Sequence, residues 1–125
     1  MKIYNLTYRL RFTDKEVVML SEIANDLSCE LERIKRDTTV TDFAIIFYLN
    51  NCLRDLREII VNKNVKGLAY NSLVINLICY KLSFSVDLLL AKEGTAHTLY
   101  VAHINLLLGY LCNLERVTKA RCYKD

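Results

Sequence analysis

The residues of this chain that could do acid, base or metal chemistry are few. His97 and His103 are the only histidines in the sequence. On a helix their spacing corresponds to about 600° of rotation, so the two imidazoles would point about 120° apart and could not easily share a metal ion. We expect His103 to be hydrogen-bonded and partly buried. Neither histidine predicts catalysis.

Five cysteines are spread along the sequence without the close pairs that zinc sites use. They are Cys29, Cys52, Cys79, Cys112 and Cys122. Their number is odd, and most of them stand among apolar residues. This pattern is typical of reduced, buried thiols in a cytoplasmic protein. The sequence therefore predicts neither a metal site nor a cofactor.

Motifs that mark enzymes are missing from the sequence. It contains no G-x-x-x-x-G-K, G-x-G-x-x-G, H-E-x-x-H or G-x-S-x-G string. Charged pairs such as Glu32 and Arg36, at positions i and i+4, are typical of a solvated helix face. We therefore expect a protein that is not an enzyme. An enzyme with an unrecognised helical active site is the third alternative, and a deep polar pocket near His103 would favour it.

Four segments with helical periodicity must position whatever surface the protein uses. The chain has 125 residues, no proline and three glycines, which favours one domain of long helices. Apolar spacing predicts helices over about 14–36, 40–62, 68–92 and 95–120. Because these segments have similar lengths and short connections, we predict an all-α fold, an antiparallel four-helix bundle spanning residues 1–125.

The first helical segment carries a regular apolar stripe. Thr13 and Glu16 fit a capping box at its start. The stripe, with alternating spacings of three and four, consists of Val17, Leu20, Ala24, Leu27, Leu31 and Ile34. Such a stripe can pair across a dimer instead of within the bundle, in which case Val18 and Ile23 would face the chain's own core. These six residues are our candidate oligomer seam.

The third helical segment, residues 68–92, is rich in apolar residues. Four polar residues interrupt it: Asn71, Asn76, Lys81 and Asp87. Such residues are costly inside a bilayer, so we expect no membrane partner. Residues 82–88 alternate as a strand would, but the apolar run continues without a turn residue up to Gly94, which favours a helix. Of these, Asn71, Asn76 and Lys81 either point outward or fix the register of an oligomer.

Residues 1–12 alternate between apolar and polar side chains and predict a short N-terminal β-strand. One face carries Tyr4, Leu6, Tyr8, Leu10 and Phe12, and the other carries Asn5, Thr7, Arg9 and Arg11. A single strand needs a partner, and the chain offers none except its own copy. We therefore expect this strand to be paired across a homodimer.

This strand, followed by the Thr-Asp-Lys-Glu start of an amphipathic helix at residues 13–16, resembles the opening of ribbon-helix-helix DNA-binding proteins. In that family two copies form an antiparallel ribbon that enters the major groove. The resemblance implies a dimeric transcriptional regulator in which Asn5, Thr7, Arg9 and Arg11 read the bases. A net charge of +3 is small for a protein that binds phosphates. The alternative is that the strand is an edge that closes the bundle and is kept soluble by its arginines.

Taken together, the sequence favours a small non-enzymatic helical protein of the cytoplasm. We expect it to act through protein–protein binding or self-association, as a regulator or adaptor, with a partner that the sequence does not identify. The DNA-binding regulator is the main alternative to this function.

Overall fold

The computed structural model describes residues 10–62, 66–92 and 97–122, and these residues form four α-helices. Helix α1 spans Asp14–Arg36, α2 spans Phe43–Val61, α3 spans Leu68–Leu90 and α4 spans His97–Cys122. Each helix packs against the next one along the chain, and α4 packs against α1, which closes a ring. The predicted all-α four-helix bundle is confirmed.

Polar contacts between helix ends show that neighbouring helices run antiparallel. Lys92, just after α3, binds Asp42, just before α2, at 2.8 Å. Arg121, at the end of α4, binds Glu16, in the first turn of α1, at 2.7 Å. Short connections between helices of similar length enforce this up-and-down arrangement.

The start of α1 is fixed by the predicted capping box, which the structure contains. The Glu16 backbone N–H donates to Thr13 Oγ1 at 3.1 Å, and the Thr13 backbone N–H donates to Glu16 Oε1 at 2.8 Å.

Helix α2 begins three residues later than predicted, at Phe43. Its cap is Asp42, which accepts a hydrogen bond from the Ala44 N–H at 2.8 Å. The preceding Thr41 lies in the turn, where its hydroxyl donates to the Asp37 carbonyl at 2.7 Å.

The core is filled by leucine and isoleucine side chains from all four helices. Fully buried examples are Leu20, Leu27, Ile34, Leu49, Leu56, Ile75, Ile78, Leu82, Ile104 and Leu111. Five of the six residues of the α1 stripe lie in this core, and the sixth, Val17, packs against it. The stripe is therefore covered by the chain's own helices. Ile23 is buried with it, whereas Val18 is exposed.

The predicted N-terminal strand and its pairing across a dimer are not supported. Residues 1–9 lie outside the described residues, and residues 10–12 form no strand. These three residues are instead held by their own chain. The Leu68 N–H donates to the Leu10 carbonyl at 3.2 Å, the Arg121 guanidinium donates to the Arg11 carbonyl at 3.2 Å, and Phe12 is buried.

Helix α3 is continuous through residues 80–90, which confirms the helical alternative there. In the helix the polar Ser85 is buried and the apolar Phe84 is exposed, so burial does not follow the alternation in the sequence. The Ser85 hydroxyl donates to the Lys81 carbonyl at 3.0 Å, so the polar group is satisfied within the helix. Among the described helices, α3 has the length and apolar composition of a membrane span, a test that core helices of water-soluble proteins also pass. The described bundle is compatible with a water-soluble protein.

Candidate interaction surface

Helix α3 is apolar on two opposite faces, and only one of them faces the core. The buried face includes Ile75, Ile78, Leu82 and Leu89. On the opposite face five large apolar side chains are exposed to solvent. We call this row the α3 ridge, and it consists of Tyr70, Leu73, Leu77, Tyr80 and Phe84. Their exposed fractions run from 46% for Tyr70 to 70% for Tyr80.

The spacing within the α3 ridge is three, four, three and four residues. At about 100° per residue, seven residues bring a side chain back to within about 20° of its starting direction. The ridge is therefore nearly parallel to the helix axis over about 21 Å. A straight apolar row of this kind is the pattern with which one helix packs against another by inserting knobs into holes.

A cleft lies on each side of the α3 ridge. Between α2 and α3, a cavity of about 200 Å³ is lined by Ile59, Tyr70 and Leu77 among others. Between α3 and α4, a cavity of about 210 Å³ is lined by Leu73 and Glu115 among others. The ridge thus projects between two depressions that can receive the side chains of a partner.

Aromatic rings at the start of α2 extend the α3 ridge sideways. Phe43 is 83% exposed and stacks on Phe47, with ring centroids 6.2 Å apart. Phe47 meets Tyr48 edge to face at 5.5 Å, and the Tyr48 ring lies 4.9 Å from that of Phe84. The α3 ridge, Phe43, Phe47 and Tyr48 together form one continuous apolar surface.

Charged groups stand beside this surface and at its two ends. Lys81 is turned toward α2, where its ammonium binds the Asp55 carboxylate at 2.7 Å. At the start of α3, Lys66 Nζ lies 4.4 Å from the centroid of the Tyr70 ring. At the other end, Asp87 is exposed and forms no ion pair among the described residues. Asp87 also continues the spacing of the ridge by one step.

A second row of exposed apolar residues runs along α4, but it is less continuous. Its members are Leu99, Leu106, Tyr110 and Val117. The positions between them, at steps of three or four residues, hold the small Ala102 and the polar Asn113. The α3 ridge is therefore the more complete helix-packing surface.

None of the residues predicted as sites from the sequence belongs to the α3 ridge. Asn5, Thr7 and Arg9 lie outside the described residues. Arg11 is exposed, and its guanidinium donates to the Leu10 carbonyl at 3.0 Å. The candidate seam on α1 lies within the bundle.

The Glu30 carboxylate and the His103 imidazole meet between α1 and α4. Glu30 is 3% exposed, and both of its carboxylate oxygens lie 3.1 Å from His103 Nδ1. Arg33 also donates to Glu30 at 2.9 Å. The predicted hydrogen-bonded, partly buried His103 is confirmed. Cys29 lines the adjacent cleft, but in the described part of the chain it forms no hydrogen bond with His103. The pair bridges two helices.

The cysteines differ in burial, although all five are free thiols. Cys52 and Cys122 are buried, and burial raises the pKa of Cys52 to about 12. Cys79 is partly buried, and burial together with the neighbouring Cys112 raises its pKa. The expectation that the cysteines are buried is wrong for Cys29 and Cys112, which are exposed on their helices.

The α3 ridge was missed in the sequence although its spacing is as regular as that of the α1 stripe. The reason is that α3 carries a second apolar stripe on its core face, so the helix is apolar almost all round. Two opposite stripes cancel the contrast between faces that usually identifies a packing surface. The signal in the sequence is a pair of interleaved apolar series, one through Leu77 on the ridge and one through Ile78 on the core face.

Known proteins give no guide to how this surface is used. Comparison of the chain with protein-family models, with curated proteins and with solved structures finds no match. The observations that bear on function are therefore those made on the chain itself: the α3 ridge, its two clefts and the aromatic extension on α2.

Proposed function

We propose that this chain is a small non-enzymatic adaptor or regulator that binds another protein chain through the α3 ridge. The observation that carries the proposal is the straight row of five exposed apolar side chains on a helix whose other face is already packed in the core. A helix that needed only to fold would place polar residues on its outer face. An outer face built from tyrosine, leucine and phenylalanine is suited to a second layer of protein.

The size of the exposed surface supports this function. With each ridge side chain about half exposed, the ridge presents roughly 500 Å² of apolar area. The largest apolar patch on a typical monomer is about 300–600 Å², and patches of this size often mark binding sites. Covering about 500 Å² contributes roughly 12 kcal/mol before the cost of association, which is about 4–15 kcal/mol. The gain is of the same size as the cost, so a partner that also buries apolar area of its own can bind to the ridge.

The shape of the surface favours a helical partner. A ridge about 21 Å long with a depression on each side matches the length of about four helical turns. An incoming helix could place its side chains in the clefts on either side of Leu77. Tyrosine, which forms two of the five ridge positions, combines a large apolar ring with a hydroxyl that can bind at a wet rim.

A designed peptide tests this function. The probe is an amphipathic helix of 23 residues, the length of α3, with leucine at alternating spacings of three and four and with Lys and Glu elsewhere. We expect it to bind the full chain in fluorescence anisotropy, and we expect Tyr80→Glu to weaken binding at least tenfold. The matched control is Arg57→Glu, an exposed position on α2 outside the apolar surface. Equal binding by all three proteins would overturn the proposal.

Two further measurements separate this function from its competitors. The first is binding of the chain to neutral phosphatidylcholine vesicles. If the ridge binds these vesicles and does not bind the peptide, its ligand is a lipid surface and the proposal is overturned. The DNA-binding alternative predicts salt-sensitive gel shifts that are lost in Arg9→Ala and Arg11→Ala. That result would replace protein binding with the function that the sequence resemblance implied.

A further inference from the structure

We infer that the α3 ridge binds the α3 ridge of a second copy of the same chain, with the two helices antiparallel about a two-fold axis. This inference rests on the proposed function and names the partner. Three features of the described residues point to self-pairing: the register of the ridge, the charges at its ends, and the area of the apolar surface.

The spacing of the ridge fits an antiparallel copy of itself. The ridge contains three-residue steps, such as that from Leu77 to Tyr80. In an antiparallel pair, the residue that begins such a step on one helix lies beside a residue that ends such a step on the other helix. With the two-fold axis between residues 78 and 79, Leu77 lies beside the partner's Tyr80 and Leu73 beside the partner's Phe84. Both of these layers then pair a leucine with an aromatic ring, so a smaller side chain lies opposite a larger one across the seam.

The charges at the ends of the ridge select the antiparallel direction. In the same register Tyr70 lies beside the partner's Asp87. Lys66 Nζ is already placed 4.4 Å from the Tyr70 ring centroid, so the ammonium and the tyrosine hydroxyl meet that carboxylate together. The two-fold axis repeats the contact at the other end. A parallel pair would instead place Lys66 beside its own copy and Asp87 beside its own copy, which is repulsive.

The area of the apolar surface matches that of a stable dimer. The ridge supplies roughly 500 Å² per copy, and the exposed rings of Phe43 and Phe47 add roughly 250 Å² beside Phe84. A standard interface buries about 800 Å² per partner. Between Tyr70 and Phe84, the polar residues of α3 outside the ridge are asparagines, serines and Lys81, and Lys81 is already paired with Asp55. Along this stretch α3 therefore brings no unpaired charge to the seam.

Sedimentation of the full-length chain over a concentration series tests the inference. We expect a dimer, and we expect Leu77→Glu to raise the dissociation constant at least a hundredfold, because two carboxylates would meet near the axis. The matched control is Leu106→Glu, which changes an equally exposed leucine on α4. It should leave the dissociation constant unchanged. The opposite outcome, with Leu106→Glu disruptive and Leu77→Glu harmless, would overturn the inference.

Charge reversal tests the direction of pairing. Lys66→Glu and Asp87→Lys should each weaken the dimer about five- to tenfold, because each change creates two like-charge contacts. The double variant should restore the affinity of the original chain. Rescue is specific to the antiparallel register, and its absence in a chain that still dimerises would overturn it. Circular dichroism of each variant establishes that the helices are intact.

Failure of self-pairing can be distinguished from failure of the proposed function. A chain that stays monomeric up to about 100 μM, yet binds the designed helix in a manner sensitive to Tyr80→Glu, overturns self-pairing and leaves protein binding intact. A chain that neither dimerises nor binds the peptide overturns both.

Discussion

Glu16 is buried at the start of α1 and is bound from two directions. The Arg121 guanidinium donates to its two carboxylate oxygens at 2.7 and 3.0 Å, and the Thr13 N–H donates to one of them at 2.8 Å. Burial by itself raises the pKa of a carboxyl, but the hydrogen bonds from Arg121 and Thr13 and the positive charge of Arg121 outweigh it, so the pKa of Glu16 is lowered. The folded state therefore favours the ionised form. Its stabilising effect is present above the ordinary pKa of 4.5 and is lost as the pH falls through the lower folded-state pKa.

We expect Glu16→Gln to lower the free energy of unfolding at neutral pH by about 1.5–3 kcal/mol, because the variant loses charged hydrogen bonds in a mostly buried place. The difference between the two proteins should shrink as the pH is lowered below 4.5, where Glu16 of the original chain takes up a proton. Urea unfolding followed by circular dichroism measures both effects. The control is Glu32→Gln, which breaks an exposed pair with Lys35 and should cost no more than about 1 kcal/mol. Equal losses, or a pH-independent loss at Glu16, would contradict this assignment.

The thiols provide a second test of burial at single residues. With a pKa near 12, the Cys52 thiol is almost never ionised at pH 8, and its side chain is out of reach of solvent. We expect Ellman's reagent to modify Cys29 and Cys112 rapidly in the native chain, and Cys52 and Cys122 only when urea unfolds it. Peptide mass spectrometry identifies the modified positions. Reaction of Cys52 at the rate of Cys29 would show that the helices do not pack as described.

At the scale of the helices, the spacing of apolar residues predicted which faces pack inside the bundle. Polar contacts determine where the helices begin and how the N-terminal segment is held. The regular apolar series located all four helices and their order, because a shared core requires such a stripe on each. The helix ends were less predictable. Helix α2 starts at Phe43 because Asp42 caps it, and sequence alone does not choose among adjacent residues that can cap a helix. The α1 stripe could serve a core or a seam equally well, and only the packing of α2 and α4 decides that it lies in the core.

At the N-terminus, the described residues 10–12 do not form the predicted strand, and the reason is different. Alternation through Leu10 and Phe12 indicates a strand only if the segment continues as one up to the helix. Here Arg121, more than a hundred residues further along the chain, binds the Arg11 carbonyl and holds the segment against the bundle end. A contact at such separation leaves no local signal. Among the polar residues of α3, Lys81 likewise finds its partner, Asp55, on a different helix.

The two faces of α3 should contribute very differently to stability. Ile78 is fully buried, whereas its neighbour Leu77 is half exposed. We expect Ile78→Ala to cost about 2–5 kcal/mol of unfolding free energy through loss of buried contacts, and Leu77→Ala to cost less than about 1 kcal/mol. Urea unfolding at a concentration where sedimentation finds the monomer measures the comparison. Similar losses at both positions would mean that the ridge is part of the monomer's own core.

At the scale of the whole molecule, side-chain contacts join α1 to α4 at both ends of the ring. Arg121 binds Glu16 at one end, and at the other Tyr100 donates to Asp37 at 2.8 Å. The ring is thus closed within a single chain, and the described bundle needs no partner to cover its core. The α3 ridge is then surface added to a complete fold. This arrangement separates folding from association, because the residues that stabilise the bundle and those that would pair two bundles lie on opposite faces of one helix.

That separation predicts how thermal stability depends on concentration. If two chains pair through the ridge only when folded, pairing stabilises the native state by mass action, and the midpoint of thermal unfolding must rise with protein concentration. In Leu77→Glu the paired state is lost while the core face of α3 is unchanged. Its midpoint should therefore be independent of concentration and should equal that of the original chain at high dilution. Calorimetry over a hundredfold range of concentration measures both midpoints. A midpoint that rises equally in the two proteins would place the contact elsewhere, and the row on α4 through Leu106 would then be the surface to change.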